Sequence, residues 1–235
     1  MYHLQNIIIS PTNKMANLIS ENPSLLILME HFDLDFIVHD KTVGQLCAEN
    51  KINENLFISF CDLYNGKNTL NCDNYTEADI ETIINFLKNT HHFYKNDKSS
   101  EIRSYIEKLY IENDLPEVKL IGKFFNEYID EVTEHLDYED QIVFPYIRQL
   151  LQDASISKEF SVKEYQDHHT DIESKLADLK SLLLKHIPLK ENRSLRRKLL
   201  FSLFEFEHDL TIHSLIEENL LIPLVINLEN KYGLE

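Results

Sequence analysis

Two segments of the sequence repeat a histidine, a glutamate and a proline at the same spacing, H-x3-E-x5-P. The first copy is His135, Glu139 and Pro145, and the second is His213, Glu217 and Pro223. Residues four apart lie on one face of an α-helix, so each copy presents an imidazole and a carboxylate that can bind a metal ion together. The proline is expected to kink or end the stretch that faces inward.

A pair of histidines precedes each copy of the repeat at nearly the same distance. His91 and His92 precede the first copy, and His168 and His169 precede the second. The pattern predicts two helical hairpins, each of which supplies one histidine and one H-x3-E pair. Together they would give two metal ions four imidazoles and two bridging carboxylates, a donor set without thiolate that suits iron or manganese.

A metal cluster also resolves an energetic problem that chance does not. One H-x3-E pair on an acidic helix is usually solvated. Six ionisable groups that point into a bundle core would each cost several kcal/mol if they were unpaired. The repetition therefore favours metal binding over a metal-free bundle.

The apolar stripe chooses within one histidine pair more clearly than within the other. His169 lies on the stripe between Tyr165 and Ile172, whereas His168 falls between charged residues, so His169 is the better ligand. The stripe favours His91, which follows Leu87 by four residues, and periodicity alone does not select His92. His31 and His39 are expected to lie outside the bundle. Asp140 and Glu218, which follow the two glutamates, are expected to be solvated or to lie just behind the ligands. His208 is likewise expected to be a surface residue or to lie just behind the ligands.

Four long amphipathic runs must position these side chains. The first begins at Thr76 with a capping-box pattern to Asp79, and the second runs from Pro116 to about residue 151. The third begins near Ser157 or Ser161 and the fourth runs from about residue 191 to 227. Short connections between four such helices predict an all-α, up-down four-helix bundle over residues 74–230.

The first third of the chain has shorter elements. Helices of two or three turns are predicted over 15–19, 24–31, 42–49 and 53–63, with asparagine and aspartate residues between them. The polar stretch 65–68 is the best linker, so the sequence predicts a small helical domain over residues 14–66.

Bulk composition excludes several classes of partner. The formal net charge is −17, which repels nucleic acids and anionic membrane surfaces, and no apolar stretch is long enough to span a bilayer. The N-terminus lacks a signal-peptide pattern, and the few cysteines fit a reducing compartment. These features predict a cytoplasmic protein. A monomer or a homodimer is expected, and the sequence does not choose between them.

The chain resembles the hemerythrin-type H-H-E proteins, and more closely the iron–sulfur cluster repair di-iron proteins, also described as regulators of cell morphogenesis and nitric oxide signalling. The likeness covers nearly everything from Lys14 onward. In the bundle it rests on the segment 90–94 (THHFY), on the two H-x3-E copies with their prolines, and on His169. Residue 173 is glutamate where the oxygen carriers have a further histidine, so the repair type is the closer match.

This resemblance implies a ligand set and a function. The family places its first ligand at the second histidine of the pair, so the implied ligands of the two iron ions are His92, His135, Glu139, His169, His213 and Glu217. The implied protein binds nitric oxide or dioxygen in a stress response and helps to repair iron–sulfur proteins. The alternative is a non-enzymatic sensor or adaptor that signals to a protein partner, so enzymatic activity is left open.

The N-terminal domain departs from the family at one motif. Segments 15–26 and 32–36 are similar to the family's opening motif, but the adjacent cysteine pair expected next is replaced by the segment 37–40 (IVHD). Cys47 and Cys61 are expected to be buried small hydrophobic residues. Functions that need paired thiols are therefore not expected here.

Overall fold

The computed structural model describes residues 8–68, 70–113, 116–152, 173–185 and 192–233, and these are helical throughout their regular elements. The α-helices in chain order are α1 (Met15–Glu21), α2 (Leu25–His31), α3 (Val43–Asn50), α4 (Glu54–Tyr64), α5 (Glu77–His92), α6 (Ser99–Asn113), α7 (Pro116–Tyr138), α8 (Phe144–Gln152), α9 (Glu173–Lys185), α10 (Arg193–Ile216) and α11 (Ile222–Tyr232). Three π-helical segments interrupt the long helices: Phe93–Lys98, Glu139–Val143 and Glu217–Leu221. Within these ranges no strand forms, so the all-α prediction is confirmed.

The helix predictions are confirmed to within about two residues where the structure describes the chain, except that the fourth long run ends at Tyr232, about five residues later than predicted. The four short helices appear as α1 to α4, and the long runs appear in α5, in α7 with α8, and in α10 with α11. The start of the third long helix lies outside the described residues. One element was not predicted: α6 buries Ile102, Ile106 and Leu109, which do have helical spacing.

Side-chain caps explain where several helices start. The Thr42 hydroxyl accepts from the Gln45 backbone N–H, and the Gln45 side chain accepts from the Thr42 N–H, which completes a capping box. Ahead of α5, the Asp79 carboxylate accepts from the Thr76 backbone N–H at 2.9 Å. Asn53 donates to the same carboxylate at 2.8 Å, which ties the start of α4 to α5.

The described residues form two compact units, and the division falls between Thr90 and His91 inside α5. The first unit comprises residues 8–90, 147–152 and 212–233. The second comprises residues 91–146, 173–185 and 192–211. The predicted boundary between a domain over 14–66 and a bundle over 74–230 stays a prediction.

In the first unit, aromatic rings attach α5 to the N-terminal helices. The Phe86 ring lies 4.8 Å from both the Phe32 and the Phe60 ring, and the buried His31 imidazole meets it edge-on at 5.3 Å. In the same unit, Arg148 of α8 donates hydrogen bonds from Nε and Nη2 to the Glu81 carboxylate of α5. These contacts attach α5 to the N-terminal helices and to α8.

In the second unit, α6 packs closely on α7 and aromatic residues fill the core. A Cβ atom on Gly122 would lie 3.3 Å from the Ile106 side chain, so the absence of a side chain permits this close approach. The Phe206 ring contacts the rings of Tyr94 and Tyr128, at 5.3 and 6.2 Å. No helix among the described residues is long and apolar enough to cross a membrane.

Candidate metal centre

Glu139, at the end of α7, is 0% exposed and lies between two histidines. His135, one turn earlier, places Nε2 3.0 Å from Glu139 Oε1. His91, at the end of α5, places Nε2 3.2 Å from Oε2 and is 1% exposed. Each carboxylate oxygen therefore has its own imidazole partner.

Behind His91, a second carboxylate holds the other ring nitrogen. His91 Nδ1 lies 3.1 Å from Asp140 Oδ1. Asp140 also accepts from Lys95 at 2.9 Å, and Lys95 donates to Asp137 at 2.7 Å. The Phe144 ring stacks on the imidazole at 5.4 Å between ring centroids. These contacts fix the plane of the His91 ring.

The charges of this cluster stabilise one another. Burial disfavours an imidazolium, but the contacts with Asp140 and Glu139 outweigh it and raise the pKa of His91 to about 9. Burial likewise opposes ionised carboxyl groups, yet His135 and His91 hold the pKa of Glu139 well below its usual value. His91 and Lys95 lower the pKa of Asp140 to about 2. A cation bound at His91 Nε2 would take the place of a proton.

The second copy of the repeat forms a similar group. Glu217 is 0% exposed, and His213, one turn earlier and 2% exposed, places Nε2 3.3 Å from Glu217 Oε2. On the far side of the ring, His213 Nδ1 lies 2.7 Å from the Thr90 hydroxyl oxygen. A buried glutamate paired with an imidazole through Nε2 is thus common to both copies.

The buried residues that could serve as metal ligands are His91 and Glu139 in the second unit, and His213 and Glu217 in the first. All four are buried. Two imidazoles and two carboxylates are donors that iron and manganese accept, whereas a structural zinc site usually includes thiolates. The donor set therefore fits a non-haem metal centre.

Both glutamates open a π-helical segment. The carbonyl oxygens of Glu139 and Glu217 accept from the N–H of Phe144 and Ile222, five residues later. A proline follows each of these donors. Proline cannot donate, and its ring collides with the carbonyl four residues earlier in a regular α-helix. The wider turn accommodates this collision, so the chain stays helical past each proline, where the sequence predicted a kink or an end. π-helical turns are frequent at functional sites.

Comparison with known proteins assigns these residues to a family. Residues 82–225, more than half of the chain, match the hemerythrin HHE cation-binding domain. The chain belongs to the hemerythrin HHE family. It is also 25% identical over 225 residues to a probable iron–sulfur cluster repair protein of Haemophilus influenzae, covering 91% of this chain and 96% of that protein.

The match confirms the hemerythrin-like fold and the resemblance to cluster repair proteins. It covers both copies of the HHE repeat and the first histidine pair. The residue-by-residue ligand set and the number of metal ions stay predictions.

The structure brings some of the predicted ligands together and leaves others apart. His135, Glu139, His213 and Glu217 lie as described above. His92 is exposed, with Nδ1 3.1 Å from the Asn96 side chain, and the adjacent His91 contacts Glu139 in its place. The reason is helical phase, since His91 continues the buried stripe of α5.

The remaining histidines and acidic residues fall as follows. His169 and His168 lie outside the described residues. His208, His39 and Glu218 are exposed, whereas His31 is buried in the first unit against Phe86. Asp140 proved to be a direct partner of a buried HHE histidine.

Sequence reasoning missed three polar residues of this HHE domain. Thr90 contacts His213, and its only signal was its position next to the histidine pair. Tyr94 donates to Asp209 at 2.8 Å, and both are buried. Asp209 precedes His213 by one turn, so the spacing D-x3-H-x3-E carried a signal for it.

Proposed function

We propose that this HHE protein holds a carboxylate-bridged di-iron centre, binds nitric oxide or dioxygen there, and supports repair of damaged iron–sulfur clusters under nitrosative or oxidative stress. The observation that carries the proposal is that each compact unit buries a glutamate beside an imidazole: Glu139 beside His91 and His135 in one, and Glu217 beside His213 in the other. The name of the Haemophilus influenzae relative supports the repair role. Such a centre would supply one-electron redox chemistry and positions where a gas can bind.

The protein's own residues have defined tasks in this proposal. His91, His135 and His213 present Nε2 to the carboxylates and would serve as ligands, with His169 as the fourth imidazole. Glu139 and Glu217 would bridge the ions. Buried aromatic residues such as Phe144 exclude water from the imidazoles.

The N-terminal helices favour a second candidate, a non-enzymatic sensor of oxygen, nitric oxide or iron. Cys47 and Cys61 are buried, as expected, and burial raises the pKa of Cys47 to about 12 and that of Cys61 as well. Neither thiol is suited to redox exchange. These helices belong to the same compact unit as His213 and Glu217, which supports the proposal that they respond to the metal.

Metal analysis of protein purified anaerobically from iron-replete cells tests both candidates. We expect about two irons per chain, with bridged ferric absorption after oxidation. The double variant His135→Ala, His213→Ala should lose the bound iron. The control is His208→Ala, which should keep it, because His208 is exposed and lies on the same helix as His213. Absence of iron from the unaltered protein would reject the di-iron proposal.

Exposure of the reduced protein to nitric oxide separates the two candidates. Repeated consumption of the gas with formation of nitrous oxide would support an enzyme. Binding of a fixed amount without turnover would support the sensor. Recovery of a damaged iron–sulfur enzyme upon addition of the iron-loaded protein tests the repair role directly.

A further inference from the structure

Thr90 determines which nitrogen of His213 carries a proton. Its hydroxyl donates to the Leu87 carbonyl oxygen at 2.7 Å. A hydroxyl has a single hydrogen, so at the 2.7 Å contact with His213 Nδ1 the oxygen must accept. Nδ1 therefore carries a proton, and Nε2, which faces Glu217, is the nitrogen that can bind a cation.

Asp140 determines which nitrogen of His91 carries a proton, and it does so through a carboxylate instead of a hydroxyl. An ionised carboxylate can only accept, so the His91 Nδ1 that lies 3.1 Å from Asp140 Oδ1 carries a proton. Nε2 again faces a buried glutamate, Glu139. The stacked Phe144 ring prevents the imidazole from turning away.

The two supporting groups differ in charge. Asp140 is an anion, and although Lys95 contacts it, Lys95 is shared with Asp137. Two carboxylates thus surround one ammonium group, and the cluster behind His91 keeps a net negative charge. Behind His213 the partner is the neutral hydroxyl of Thr90. A carboxylate that accepts from an imidazole makes that imidazole a stronger electron donor than a hydroxyl does.

We propose that Asp140 and Thr90 are positioning residues that reserve Nε2 of His91 and His213 for metal, and that their difference makes the two metal positions unequal. An ion bound at His91 would receive more electron density than one bound at His213, so it would be the easier of the two for an added oxidant to oxidise. This inference rests on the proposed di-iron function. It assigns the inequality to two residues outside the ligand set.

Nitrogen-15 NMR of histidine-labelled protein, without added metal, tests the positioning step independently of iron. We expect a proton on Nδ1 of both His91 and His213. Thr90→Val removes the hydroxyl, so His213 should become a mixture of tautomers. Thr90→Ser keeps the hydroxyl, so the proton should stay on Nδ1. Circular dichroism shows whether each variant is folded. A proton on Nε2 alone in the unaltered protein, or no change in Thr90→Val, would overturn the positioning role of Thr90.

Mössbauer spectra of iron-57-loaded protein test the inequality. We expect two distinct doublets in the unaltered protein and, during stepwise oxidation, conversion of one before the other. Asp140→Asn retains an accepting oxygen but removes the charge, so the tautomer of His91 should persist while the doublets converge. Asp140→Leu, which removes the acceptor too, should weaken iron binding about 10- to 100-fold.

The outcomes separate the two proposals. Equal iron sites in the unaltered protein, or an unchanged separation in Asp140→Asn, would overturn the inequality while leaving a di-iron protein. If the unaltered protein binds no iron, the proposed function fails and the inequality with it. The NMR result still decides in that event whether Thr90 and Asp140 position their histidines.

Discussion

His91 and His92 are neighbours in the chain but have opposite surroundings. His91 is buried between two carboxylates, whereas His92 is exposed beside Asn96. Because a ligand must face the other donors, we expect His91→Ala to lower the iron content to one ion or less per chain. His92→Ala should leave it unchanged, as measured by metal analysis of anaerobically purified protein. The reverse result would support His92, the ligand that the family resemblance implies.

The Tyr94–Asp209 hydrogen bond is a buried contact of 2.8 Å in the second unit. Tyr94→Phe removes the donor from a buried carboxylate, which should lower the free energy of unfolding by about 1–3 kcal/mol. The matched control is Tyr105→Phe, where the lost bond to Glu101 lies nearer the surface and the cost should stay within about 0.5–1 kcal/mol. Urea denaturation measures both. Equal losses of unfolding free energy in the two variants would show that burial does not make the Tyr94–Asp209 bond more stabilising than the Tyr105–Glu101 bond.

Sequence reasoning at the residue scale succeeded where one helix sufficed. His135 with Glu139, and His213 with Glu217, follow from i to i+4 geometry within a single helix. Thr90 could not be predicted, because its role depends on a hydroxyl from one helix meeting an imidazole 123 residues away in sequence. The same reason applies to Tyr94. Long-range contacts of single polar atoms leave no periodic signal.

At the scale of elements, the π-helical segments are what the sequence did not reveal. The prolines at 145 and 223 indicate that the regular helical hydrogen bonds between backbone groups must change near these positions. Three responses were open to the chain: a helix end, a kink or a wider turn. The structure adopts the wider turn in both copies, and each begins at the glutamate. The helix pattern predicted the elements well, since its apolar period is set by burial.

The aromatic contact between α5 and the N-terminal helices makes a testable contribution to stability. Phe86 is buried against Phe32 and Phe60. Phe86→Ala should therefore lower the free energy of unfolding by about 3–5 kcal/mol. Phe201→Ala is the matched control, because Phe201 is exposed and its loss should cost at most about 0.5 kcal/mol. A small effect at Phe86 in urea denaturation would mean that the N-terminal helices contribute little.

An ion cluster connects the start of α6 with α10 and should respond to pH. Lys98 binds Glu101 at 2.7 Å and also pairs with Glu205. Burial opposes ionisation of Glu101, but Lys98 outweighs it and lowers the pKa of that carboxyl. The stabilisation is therefore present above the unfolded-state pKa of about 4.3 and lost as pH falls through the lower folded-state value.

Replacement of that carboxyl should flatten the acid limb of the stability curve. Glu101→Gln is expected to be less stable than the unaltered protein at pH 7, but to lose less stability between about pH 5 and pH 3. Thermal unfolding midpoints at several pH values measure this difference. Glu107→Gln, an exposed position on the same helix, should follow the unaltered protein. Parallel curves for Glu101→Gln and the unaltered protein would contradict the assignment.

The whole molecule carries a formal net charge of −17, and two of its buried groups are the carboxylates of Glu139 and Glu217. Like charges destabilise a compact state, so any cation should stabilise this protein slightly by screening. A cation that binds the donor group should do much more. A ligand that binds only the folded state raises the free energy of unfolding by RT ln(1 + [L]/Kd).

Ferrous iron should therefore raise the thermal unfolding midpoint far more than magnesium at equal ionic strength. At a free concentration about 1,000 times the dissociation constant, the gain is about 4 kcal/mol. Anaerobic calorimetry of the unaltered protein and of the His135→Ala, His213→Ala variant measures it. The variant should keep the small effect of screening and lose the large one, because Glu217 loses its imidazole partner and Glu139 loses one of its two. Equal gains from iron and magnesium would show that iron acts on the net charge alone.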